Sequence, residues 1–237
     1  MSRDDRLPSK SDAKDTEVEA FLKKVRSIQP AQPGAGGRGR LIFALDATAS
    51  RQPAWDRAMH IQADMFRETQ VLGGLDIQLV FYRGYGECKA SKWYSAADAL
   101  LRVMTGVTCL AGRTQIRKVL KHGLAETKKR KVNALVFVGD AMEEDVDELG
   151  HLAGELGLLG LPCFLFHEGG DPLVRNVFEQ IARLSGGACC AFDASAAQQL
   201  RDLLSAVAVY AAGGHKALAD FSAKRGGVTR LLTSQVR

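Results

Sequence analysis

The chain has 237 residues, 46% of them hydrophobic and 25% charged, with a net charge of +5. That balance places it among ordinary globular chains, long enough for one α/β domain with tails, and sets aside fibrous and membrane classes. The opening residues contain no apolar signal-like stretch, and the greasiest run, Leu156 to Phe166, is broken by Pro162 and falls short of the roughly 20 residues needed to cross a bilayer.

The location of the positive charge matters more than its size. Residues 1–40 carry nine Lys/Arg against six Asp/Glu and residues 212–237 five against one, so the ends are basic and residues 41–211 are mildly acidic. Lys128, Lys129, Arg130 and Lys131 close an expected helix, where cations complement the dipole, and no aromatic residues interleave with them. Nucleic acid is therefore disfavoured as a partner. Five cysteines, an odd number without a C-x-x-C pair, argue against both a zinc site and a disulfide framework and point to a reducing, cytoplasmic setting.

In chain order, residues 1–15 read as disordered, Thr16 to Ile28 as a short amphipathic helix bearing Val18, Phe21, Leu22 and Val25, and Pro30 to Arg40 as a Pro/Gly/Ala linker. Leu41 to Leu45 is a strand buried on both faces. Pro53 opens a helix with Trp55, Ala58, Met59, Ile61, Met65 and Phe66 at helical spacing, ended by Gly73-Gly74. Leu75 to Arg83 reads as a strand, paired through a hairpin with an edge strand over Glu87 to Trp93. Helices follow over Ser95 to Met104 and Thr114 to Lys129, with Thr114 placed to cap the second. Val132 to Val138 is a strand and Glu143 to Leu159 a helix with an acidic first turn. Cys163 to Phe166, Pro172 to Leu184, Ala188 to Phe192 and Ala194 to Ala211 complete the alternation as strand, helix, strand and helix.

This alternation predicts an α/β chain with an open, doubly wound, mostly parallel sheet, one antiparallel edge strand and helices on both faces. The expected organisation is a flexible arm over 1–38, a domain over 39–212 and a basic tail over 213–237. In such sheets the loops leaving the carboxyl ends of strands converge on a ligand crevice. Three of them carry oxygen chemistry. Asp46, Thr48 and Ser50 follow the first strand as D-x-T-x-S, Thr114 precedes a helix, and Asp140 ends a buried strand. A few carboxylates with several hydroxyls suit a hard, magnesium-like cation that retains open positions for outside ligands.

The motifs Asp46-Ala47-Thr48-Ala49-Ser50, Gly112-Arg113-Thr114-Gln115-Ile116 and Val136-Phe137-Val138-Gly139-Asp140 resemble those of the von Willebrand factor A (VWA) domain family, over roughly Arg40 to Ala211. The resemblance implies a metal-ion-dependent adhesion site (MIDAS) holding Mg2+ or Mn2+. On that resemblance the hydroxyls of Thr48, Ser50 and Thr114 would bind it directly, with Asp46 and Asp140 acting partly through water. It also implies a non-enzymatic adaptor or scaffold whose metal accepts an Asp or Glu carboxylate from a partner protein, such as an AAA ATPase or an assembly complex. Three positions depart from the family pattern: Thr48 stands where Ser is usual, and Arg113 and Ala141 where Gly is common. Arg113 brings a cation that either weakens the metal or helps hold an acidic partner.

Two alternatives remain at this level. A magnesium-dependent phosphohydrolase of the haloacid dehalogenase type also starts from a strand ending in Asp, but it needs a second Asp where Thr48 stands. The other is a VWA-like fold with a vestigial metal site, acting through its surfaces. The five histidines lack metal-ligand spacing and read as surface or helix-face residues, and Cys189-Cys190 reads as packing. His167, Glu168 and Asp171 are assigned to a loop at the metal-site edge.

Overall fold

The computed structural model describes residues 20, 23–24, 38–72, 74–192 and 197–224. The helix expected over Thr16 to Ile28 therefore lies almost wholly outside the described residues. Six strands form one sheet: β1 (Gly39–Asp46), β2 (Leu75–Arg83), β3 (Glu87–Tyr94), β4 (Ala134–Gly139), β5 (Cys163–Glu168) and β6 (Ala188–Phe192). Their spatial order is β3-β2-β1-β4-β5-β6. Every neighbouring pair is parallel except β2 and β3, which form the antiparallel edge hairpin. This is the doubly wound arrangement that the sequence predicts, with its reversal of direction between β1 and β4.

All eight residues of β1 are buried, because the strand has neighbours on both sides and helices on both faces. Leu41, Phe43 and Leu45 enter one core layer; Ile42 and Ala44 enter the other. The first layer is covered by α1 (Gln52–Thr69), α2 (Ala97–Thr105) and α6 (Ala197–Lys224), the second by α3 (Ile116–Lys129), α4 (Val146–Leu158) and α5 (Pro172–Ser185). Trp55 of α1 lies edge-on to Phe81 and donates its indole N–H to the Met104 carbonyl at 3.2 Å, so its one polar atom is satisfied inside the core. At the bottom edge, Arg40 is buried with its guanidinium 3.8 Å from the centre of the Trp93 ring, and it donates to the Arg130 carbonyl.

Several boundaries differ from the expectation for identifiable reasons. The last helix runs to Lys224 instead of ending near Ala211. Gly214 adopts a left-handed φ of 68° and kinks the helix, which then resumes and places Leu218 fully in the first core layer. Gly213-Gly214 thus acts as a bend and not as an end, since burial of the next apolar turn offsets its cost. β5 extends through His167 and Glu168, which pair with Ala191 and Phe192 of β6 and so belong to the sheet, not to the loop.

Candidate metal centre

The crevice lies where β1 and β4 diverge, at the carboxyl ends of the strands. Asp46 is the last residue of β1 and is only 2% exposed. Its Oδ1 accepts the Thr48 N–H at 2.7 Å, folding the chain back over the strand end, while its Oδ2 is buried without a hydrogen-bond partner. Burial raises the Asp46 pKa, and the hydrogen bonds from Thr48 oppose that shift. On β2, in register with Asp46, Tyr82 is fully buried, and its hydroxyl makes no hydrogen bond of ordinary geometry. Burial and the adjacent Asp46 carboxylate push its pKa well up.

Thr48 is extended and leads into a short 3-10 turn, Ala49–Arg51, that carries Ser50 outward. Ser50 Oγ donates to Asp140 Oδ2 at 3.3 Å, linking the β1 loop to the residue that follows β4. Thr114 arrives from the opposite wall. The five residues singled out in the sequence share one cleft of about 280 Å³ with Ala111, Gly112, Ala141 and Glu143.

Thr114 does not cap the helix that follows it. Its Oγ1 accepts the Glu143 N–H at 3.1 Å, tying the α3 approach to the loop after Asp140. The α3 N-terminus is instead capped from a distance: Glu144 accepts the Ile116 and Arg117 N–H groups, the second at 3.0 Å. A carboxylate supplied by another loop satisfies two orphan donors and leaves the Thr114 hydroxyl facing the cleft.

Below the cleft, Arg51 is 3% exposed; it forms an ion pair with Glu168 and approaches Asp140 Oδ2 at 3.7 Å. Arg57 completes the network on Glu168 at 3.2 Å. Sequence reading missed Arg51 and misplaced Glu168. An arginine directly after the D-x-T-x-S motif, four residues before the buried Trp55, was the available signal. His167 departs from the surface assignment: it is 1% exposed, edge-on to Phe178, with neither ring nitrogen hydrogen-bonded, and burial lowers its pKa. His122 is half-buried and bonded to Gln78 at 2.8 Å. Asp171 caps α5 by accepting the Leu173 and Val174 N–H groups and takes no part in the cleft.

The donor set fits a hard divalent cation. Among the described residues no group of three or more His, Cys, Asp and Glu is placed to hold a metal. The cleft offers three hydroxyls and two carboxylates, one of which has a buried oxygen without a hydrogen-bond partner.

The fold superposes on the VWA domain of SpRpn10 with a TM-score of 0.56, covering 74% of this chain and 98% of that domain, at 13% identity. The chain has the von Willebrand factor A fold. The same VWA core matches proximal thread matrix protein 1 of the mussel byssus at 17% identity and a TM-score of 0.57, over 74% of this chain and about half (47%) of that one. A form of the byssus protein with a zinc-occupied MIDAS motif matches at 16% identity over 75% of this chain and 47% of its own length, with a TM-score of 0.55. No family model and no curated protein matches the sequence. At such identities the likeness carries the VWA fold and nothing about ligands.

Proposed function

We propose that this protein is a metal-dependent protein-interaction module, with Mg2+ or Mn2+ held by Thr48, Ser50, Thr114, Asp46 and Asp140, and that it works as an adaptor in the cytoplasm. The observation that carries the reading is a cleft that gathers three hydroxyls and two carboxylates from three separate loops, one of the carboxylates, Asp46, having an Oδ2 that is buried without a hydrogen-bond partner. A buried oxygen of this kind is costly unless something positive comes to it. The bound cation would supply an electrophilic position for an outside carboxylate. The chain's own residues do the rest: Thr48 N–H holds Asp46 in one rotamer, Ser50 holds Asp140, and the Glu143 N–H orients the Thr114 hydroxyl. Arg51 and Glu168 fix Asp140 from beneath.

An adaptor role agrees with the absence of a second carboxylate at Thr48, which a phosphohydrolase of the competing type would need. The five cysteines are all free thiols, as a reducing compartment favours. Among the described residues, no helix is long and apolar enough to cross a membrane. Titration calorimetry with magnesium and manganese is the test. One ion per chain is expected, with binding lost in Asp140→Ala while the circular dichroism spectrum is kept. A folded protein giving neither heat nor a melting shift at millimolar metal would leave the site vestigial.

A further inference from the structure

Beside the metal cleft, and sharing Thr114 and Glu143 with it, lies a second and larger groove of about 620 Å³. One of its walls is the turn of the β2–β3 hairpin, Gly84 to Gly86, and this turn is fastened to the Thr114 loop. Arg113 N–H donates to the Gly84 carbonyl at 3.1 Å, Arg83 donates to the Thr108 carbonyl at 2.6 Å, and Lys118 Nζ donates to the Gly86 carbonyl at 2.7 Å. Gly112 permits the contact, since a Cβ there would stand 2.0 Å from the Gly84 oxygen. The turn is therefore tied to the segment that carries Thr114, and at its tip Tyr85 is 85% exposed. A large exposed aromatic side chain carried on an anchored turn next to a binding cleft is the kind of group that packs against a partner at low entropic cost.

The charges in the groove are unequally committed. Glu144 caps α3, Asp145 caps α4 and Glu148 pairs with Arg117 and Lys121. Glu143 accepts the Thr114 N–H at 3.4 Å. Arg113 is exposed, and among the described residues its guanidinium has no hydrogen-bond or ion-pair partner. Of the groove's cations, Arg117 pairs with Glu148 and Lys118 donates to the Gly86 and Gln115 oxygens, so among the described residues Arg113 is the one cation there without a partner, and its planar fork suits a carboxylate.

We propose that this groove is a second recognition subsite, in which Arg113 binds a second acidic side chain of an extended partner segment that packs over Tyr85. The proposal rests on the metal reading above, since the first acidic residue of the same segment is taken to reach the metal. It selects for acidic pairs where a metal site alone selects for a single Asp or Glu.

The test is selection of a random dodecapeptide display library on the immobilised full chain in magnesium, run in parallel on Arg113→Ala and in chelator. Arg113 is exposed, so the variant is expected to fold, which its melting curve checks. Wild type should enrich sequences with two acidic residues a few positions apart, and Arg113→Ala should enrich sequences with one. For a labelled selected peptide, Arg113→Ala and amidation of the peptide's second acid should each weaken binding about tenfold, and together no further than either alone. Magnesium-dependent enrichment that is the same on both proteins, or no enrichment at all from a protein that binds magnesium, overturns the subsite and leaves the metal reading intact. Enrichment undiminished by chelator overturns the metal reading, and with it the two-point arrangement.

Discussion

Replacing Asp46 by Asn separates the fold from the metal, because the two effects have opposite signs. In the apo protein the Asp46 carboxylate is 2% exposed and its Oδ2 has no hydrogen-bond partner. Asn keeps the oxygen that accepts the Thr48 N–H and places an amide nitrogen beside the Tyr82 hydroxyl, so a buried charge with one unpartnered oxygen disappears at nearly constant shape. Relief of such a group is worth about 1–3 kcal/mol, or about 2–12 °C in Tm for a domain of this size. Burial raises the Asp46 pKa above 3.8, so the folded apo protein binds a proton more tightly than the unfolded chain does. Apo stability therefore falls as pH rises from 3.8 through the raised folded value, and the Asp46→Asn variant lacks this slope. Magnesium acts in the opposite direction. At a hundredfold excess over Kd the wild type gains about 2.7 kcal/mol, or roughly 5–10 °C, and Asp46→Asn gains nothing. Scanning calorimetry of both proteins, with and without metal at two pH values, reads all four quantities. A variant that melts below the wild type in chelator, or one that responds to magnesium as the wild type does, would refute the reasoning.

Thr114→Val keeps the shape but removes the acceptor for the Glu143 N–H, so it should lose about 1 kcal/mol in urea unfolding and the heat of metal binding, whereas Thr114→Ser should keep both. Gly112→Ala drives a methyl group into the Gly84 backbone carbonyl and should cost about 3 kcal/mol by denaturant titration, freeing the Tyr85 turn as judged by proteolysis. Hydrogen bonds from Arg83 and Lys89 pull the Glu87 carboxyl down from 4.5 to about 2. The stabilisation of the hairpin by this group is therefore present above pH 4.5 and is lost as pH falls through about 2, and carbon-detected NMR of Arg83→Gln should show the midpoint returning upward.

The sequence alone determined the parts of this protein in which local signals and burial agree. Leu41 to Leu45 and Val136 to Val138 can hardly be anything but doubly buried strands, and β2 over Leu75–Arg83 and β6 over Ala188–Phe192 have the limits that alternation and flanking glycines set. The order of elements implied the doubly wound sheet, and the oxygen-bearing residues at three strand or helix ends could be marked because such ends converge in that architecture. What only the tertiary structure decided are the partnerships between loops distant in sequence. Thr114 reads as a helix cap because capping is a local pattern, but Glu144, arriving from the far side of β4, takes that role and releases the hydroxyl to the cleft. Glu168 and His167 read as loop residues because charge and ring nitrogens favour water, but pairing with β6 draws both into the sheet, where Arg51, from the turn after β1, neutralises the Glu168 carboxylate. Side-chain pairing across the sheet has no local period, so no window of sequence contains it.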